Sequence, residues 1–213
     1  MTEIILVRHG ETDWNAARRL QGHTDIALNA RGRQQAAALA AALSAEAFDA
    51  IYSSDLERAH DTAQAVASTR NMTVTTKAGL RERCYGGFEG VLHQELPILF
   101  PDAYAAFLRR DVDARYPDSE RRAETLREFF DRCVETVSRL AQAHCGQKIL
   151  VVAHGGVLEC LYRAARKIDL QAPRDFDIQN ATINRLSWDG QVFQIEAWSQ
   201  VTHLDQKSLD EVS

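Results

Sequence analysis

No apolar run in this 213-residue chain approaches the roughly 18 residues of a membrane-spanning helix, so no membrane partner is expected. Cysteine is scarce. Cys84, Cys133, Cys145 and Cys160 form no C-x-x-C pair and show no disulfide framework. Net positive charge is missing too; the formal charge is −5, which argues against nucleic acid as a partner. Lysine contributes only four of the 25 cations, an arginine excess that carries no functional meaning by itself. The seven histidines show neither H-x-H nor H-E-x-x-H spacing, so no metal site is expected. A charged n-region followed by an apolar h-region is absent ahead of the first strand. No secretion signal is therefore expected, and a reducing cytoplasm is the expected compartment.

What remains is an ordinary globular composition, 45% hydrophobic and 26% charged. It is read as one domain over residues 1–213, with 91–118 as a lid-like insertion broken at Pro97 and Pro101. Ile4-Ile5-Leu6-Val7 reads as a buried strand of a parallel or mixed sheet, and it stops on Arg8-His9-Gly10. Asn29 is a plausible N-cap for an alanine-rich helix over 30–43. Phe48–Ser53 reads as a second strand, and Ser54 with Glu57 fits a capping box, which predicts a helix start at Ser54. Arg58 then sits in that helix's first turn, where the dipole disfavours a cation unless an anion is near. Thr73–Thr76 is a third strand candidate, followed by a glycine-rich loop over 80–90. A long helix is expected from Glu120 to His144, with Leu126, Phe130, Cys133, Val137 and Leu140 as its core stripe. Ile149–Ala153 repeats the opening pattern and ends on His154-Gly155-Gly156. Asp189-Gly190 predicts a hairpin with a two-residue turn, and the tail beyond Gln200 keeps Leu204 and Leu209 as apolar anchors.

Ligands of open α/β sheets sit beyond the carboxyl ends of the strands. Arg8, His9, Arg58 and His154 all fall at such ends. Two arginines beside two histidines would repel a divalent cation and suit an anion.

Arg8-His9-Gly10-Glu11-Thr12, Ser54-Asp55-Leu56-Glu57-Arg58-Ala59, Glu82 in its glycine loop and Ala153-His154-Gly155-Gly156 resemble the histidine phosphatase superfamily, in the branch of cofactor-dependent phosphoglycerate mutases and their small phosphatase relatives. The resemblance spans at least Ile4 to Trp188. It implies an α/β fold: a three-layer α/β/α sandwich with a mostly parallel central sheet and a helical insertion over the site. It also implies that His9 is the nucleophile, neutral, with one ring nitrogen donating to a backbone carbonyl. Arg8, Arg58 and His154 would clamp the phosphoryl oxygens, with Asn15 and the Gly155 amide as neutral donors. Gln21, Gly22 and Tyr85 join them as substrate-binding candidates. Glu82 would be the general acid and base, with Arg81 and Arg83 expected to point away from it. Glu11 and Glu89 are rival carboxylates; Glu11 is expected to hold the motif's geometry instead.

The far end of the substrate is less well specified. Arg109-Arg110 resembles the paired arginines that bind the substrate carboxylate in mutases, but Asp111-Val112-Asp113 departs from their pattern, and Cys84 stands where mutases place a histidine. A mutase must keep water from its phosphoenzyme, and the insertion here is shorter. The favoured expectation is a phosphomonoesterase acting on a small phosphorylated metabolite without a cofactor, as a monomer or homodimer. The alternative is a phosphoglycerate mutase, which would need 2,3-bisphosphoglycerate. A non-catalytic phosphate-binding regulator is the remote third reading.

Overall fold

The computed structural model describes residues 1–204. Its elements run β1 (Thr2–Arg8), α1 (Asp13–Ala16), α2 (Ala30–Ala42), β2 (Ala50–Ser53), α3 (Glu57–Ser68), β3 (Val74–Thr76), α4 (Leu96–Leu99), α5 (Pro101–Leu108), α6 (Leu126–Ala143), β4 (Lys148–Ala153), α7 (Gly155–Arg166), β5 (Ile183–Trp188) and β6 (Phe193–Gln200). Among the described residues the strands form one six-stranded sheet in the order β3-β2-β4-β1-β5-β6. The first four are mutually parallel, and β5 pairs antiparallel with both β1 and β6.

Alternation along the central strands makes the three layers. Ile4 and Leu6 of β1, with Ile149 and Val151 of β4, join a core under α6 and α7 that includes Cys133, Val137, Val157 and Leu161. Ile5 and Val7, with Leu150 and Val152, face the opposite way toward Leu39 of α2 and Ala63 and Val66 of α3. Both faces being covered is why these strands read as unbroken apolar runs. A third cluster of Phe88, Leu96, Tyr116 and Ala123 anchors the segment over 91–118 to the rest of the chain.

The α/β sandwich stands as expected, and so does the Asn29 cap, whose side chain accepts from the Gly32 amide. Four local expectations are corrected. The helix after β2 begins at Glu57, not Ser54. Ser54 Oγ accepts from Leu56 N at 3.3 Å, and the Glu57 amide goes to Asp25 Oδ1 instead, so no capping box forms. The long helix starts at Leu126, not Glu120, because Thr125 and Glu128 make a reciprocal capping box there. Phe129, not Phe130, is its fully buried aromatic. The hairpin turns one residue later than expected: the strands end at Trp188 and Phe193, Asp189 N donates to the Val192 carbonyl at 3.4 Å, and Asp189 Oδ1 accepts from the amides of Gln191 and Val192. Leu209 lies outside the described residues. All four cysteines are free, Cys145 alone being exposed.

Candidate active site

The pairing of β1 with β4 sets the site. Arg8 is in register with Ala153, so the next residues along each strand, His9 and His154, leave the sheet side by side. Their ring centroids are 5.1 Å apart at an interplanar angle of 62°. β2 flanks β4 on its other side, Ser53 opposite Val152, which brings the start of α3 and its Arg58 to the same edge. Because β4 lies between β1 and β2, the three connections converge at one crevice, as expected of a switch in strand order.

Backbone carbonyls aim the two arginines. Arg8 Nη1 donates to the Ile178 carbonyl at 2.7 Å. Arg58 donates to the carbonyls of Thr24 (Nη1, 3.0 Å) and Gly22 (Nη2, 2.8 Å). Gly22 adopts φ +54°, and a Cβ there would strike the Glu89 carboxylate, so the turn that holds Arg58 requires glycine. Both arginines are 1% exposed.

His9 Nδ1 lies 2.7 Å from the Gly10 carbonyl. A carbonyl only accepts, so Nδ1 carries the hydrogen and Nε2 the lone pair of the neutral ring. Burial drives the His9 pKa well below its usual value, the Arg58 and Arg8 charges add to this, and the Gly10 carbonyl opposes it. His154 is shifted the same way by burial, then Arg58, His9 and Arg8. Neither ring nitrogen of His154 has a hydrogen-bond partner among the described residues, although the ring is fully buried. Asn15 is oriented by its neighbours. Its Oδ1 accepts from Thr12 N at 2.9 Å and from Asn180 Nδ2 at 3.4 Å, and its buried Nδ2 is left without a partner. Buried polar atoms lacking partners are rare and expensive, so Asn15 Nδ2 and the one N–H of a neutral His154 ring are candidate donors to a bound ligand's oxygens.

A cavity of about 280 Å³ opens over this floor. Of the expected site residues, Arg8, His9, Gln21, Gly22, Arg58, Glu82, Tyr85, Arg110 and Gly155 line it. His154 and Asn15 are not part of that lining, although the His154 ring packs edge-on against His9. Arg109 is exposed and absent from the lining, so the arginine pair is split. Its reason is local: α5 ends at Leu108, and Arg110 takes φ +52°, turning the two side chains apart. Arg110 lines the cavity while paired with Glu159, and its Nε donates to the Leu170 carbonyl at 2.7 Å.

Glu82 lines the cavity with Oε1 accepting from Arg83 N at 2.8 Å and Oε2 from Gly156 N at 2.9 Å. Arg81 points away, bound to Asp55 at 2.6 and 2.7 Å. Arg83 departs from expectation. It is buried at 5% exposure and lines the cavity, held by the Glu124 carbonyl and the Tyr116 hydroxyl, with its guanidinium 4.4 Å from the Tyr116 ring centroid. The rival carboxylates are structural. Glu11 accepts from Asn29 Nδ2, and Glu89 collects the amides of His23, Thr24 and Tyr85.

Asn180 and the Ile178 carbonyl had no signal in the sequence. Asn180 Nδ2 donates to the His9 carbonyl at 3.0 Å, and the Ala181 amide, at φ +56°, reaches the carbonyls of Arg8 and His9. No cluster of His, Cys, Asp or Glu able to hold a metal occurs among the described residues.

Comparison with known proteins follows the same lines. The family model described as Histidine phosphatase superfamily (branch 1) matches residues 4–201. The chain is 42% identical to phosphoglycerate mutase-like protein 4 of Arabidopsis thaliana, over 96% of this chain and 87% of that one. It is 38% identical to a metal-independent phosphoserine phosphatase of the same plant, over 96% and 84%. Among solved structures, the phosphoserine phosphatase of Entamoeba histolytica in complex with 3-phosphoglyceric acid superposes with a TM-score of 0.84 at 27% identity, covering 96% of this chain and 100% of that one.

Proposed function

The chain belongs to the histidine phosphatase superfamily, and from that premise we propose that it is a phosphomonoesterase that hydrolyses a small phosphorylated metabolite through phosphohistidine at His9. The observation that carries this reading is the neutral His9 ring, its Nδ1 tied to Gly10 and its lone pair on Nε2, beside two buried arginines. Attack of Nε2 forms a P–N bond as the P–O bond to the leaving group breaks, and the Glu82 carboxyl supplies a proton to the departing oxygen. Water then attacks phosphorus, the P–N bond breaks, and the Glu82 carboxylate takes the proton. Arg8, Arg58 and Asn15 Nδ2 stabilise the charge spread over the equatorial oxygens in both steps. His154, neutral in the free site, donates one ring N–H to that group. A phosphoryl dianion beside it would also favour its protonated form. Fixed cations on this scale make a metal unnecessary.

The cavity lies near the lower edge of small-molecule pockets, which supports a metabolite as substrate rather than a macromolecule. Given the names of its relatives, O-phosphoserine is the first probe. Phosphate release from p-nitrophenyl phosphate and O-phosphoserine with a chelator present tests the reading, and activity that vanishes with the chelator would sink the metal-free mechanism. Since one relative is named for its likeness to mutases, 2-/3-phosphoglycerate interconversion is measured alongside. Interconversion faster than hydrolysis, dependent on 2,3-bisphosphoglycerate, would replace phosphatase by mutase.

A further inference from the structure

Glycine is a poor helix residue, yet Gly156 sits in the first turn of α7 without a positive φ to explain it. The explanation lies in what a side chain would meet. A Cβ at residue 156 would stand 2.2 Å from Glu82 Oε1 and 2.8 Å from the Phe129 ring edge. Meanwhile the Gly156 amide donates to the other oxygen of the same carboxylate. One residue thus provides both the space and a tether.

We propose that Gly156 is a positioning residue for proton transfer. Its missing side chain leaves the berth in which the Glu82 carboxylate stands, and its N–H holds the group there. This rests on the reading of Glu82 as the acid given above. The atoms that must yield to a methyl group are the ends of two side chains, not backbone, so Gly156→Ala folds with the carboxylate displaced. Breaking the P–O bond then loses its proton donor, while the phosphoryl clamp at Arg8 and Arg58 is untouched.

The test is the dependence of kcat/KM on leaving group across substituted phenyl phosphates, from p-nitrophenyl to phenyl, for the full chain and its variants. This parameter reports the steps up to departure of the phenol, and p-nitrophenolate leaves without a proton. The wild-type plot is expected to be nearly flat. Gly156→Ala should lose on the order of 10²-fold with phenyl phosphate, and at least tenfold less with p-nitrophenyl phosphate. Glu82→Gln should steepen the plot likewise, and the double variant should fall no more than about threefold below Glu82→Gln, since both act through one group. A Gly156→Ala plot parallel to wild type, whether lowered uniformly or not lowered at all, overturns the inference. A parallel plot for Glu82→Gln overturns instead the acid assignment on which it rests.

Discussion

The floor and the outer wall of the cavity both carry arginine, but they hold it differently. On the floor, Arg8 and Arg58 are aimed by the carbonyls of Ile178, Gly22 and Thr24. On the wall, Arg110 and Arg163 share the carboxylate of Glu159, and Arg132 behind Glu82 is paired with Glu124 at 2.6 Å. The floor's charge adds to what burial does: burial is the main reason that the proton affinities of His9 and His154 are low, and the Arg58 and Arg8 charges lower them further. The Arg110–Glu159 pair fastens the 91–118 segment to α7, whereas Arg83, which also lines the cavity, is held by a carbonyl and a hydroxyl. Arginine content alone thus says little about anion binding; the nature of the anchoring acceptor says more.

That contrast can be broken in graded ways. The largest effect is expected at the nucleophile. His9→Ala should lower kcat for p-nitrophenyl phosphate by at least ~10³-fold, because the bound phosphoryl group then has no acceptor. Next comes the floor, where Arg58→Ala should cost about 10²–10³-fold in kcat/KM, the range for a fixed oxyanion donor. On the wall the ranking inverts. Arg110→Ala should change kcat/KM for the same substrate by less than about tenfold but lower unfolding free energy by about 1–3 kcal/mol in urea titrations, since Glu159 keeps Arg163 but loses its second arginine and the Leu170 carbonyl loses its donor. A wall variant as damaging as Arg58→Ala would erase the distinction.

The smallest effect is on pH dependence. His9 and His154 have folded-state pKa values depressed below 6.5, so the unfolded chain binds more protons below that pH. Their neutral forms contribute stability that is fully present above about pH 6.5 and is lost as pH falls toward the depressed values. Urea midpoints should drop between pH 7 and pH 5, and His154→Asn should shrink the drop. A midpoint that rises over this interval would contradict the buried neutral rings.

The floor was legible because its residues are fixed by short-range grammar. A strand that ends on Arg-His-Gly can place those side chains in few ways, and register with β4 does the rest. Even the α6 start was written in the sequence, since Thr125-Leu126-Arg127-Glu128 is a capping pattern that outcompetes the generic helix formers before it. The Ser54–Glu57 pattern misled because Asp25, distant in sequence, supplies the Glu57 amide's acceptor. The wall was not legible for the same kind of reason. Whether Arg109 or Arg110 faces inward depends on a single left-handed residue after α5, and Arg83's inward turn depends on Tyr116 and the Glu124 carbonyl. Asn180 belongs to an irregular stretch whose partners exist only in three dimensions.

Strand β4 is inserted between β2 and β1, and β1 precedes it by most of the chain's length. During synthesis, β1 leaves the ribosome with its imidazole long before the segment that supplies the neighbouring ring has been made. Until β4 slots in, the early strands have no common edge and the arginines no shared focus. Activity in this protein is thus a late reporter: it switches on only when the sheet closes, and an incompletely folded chain has no assembled site.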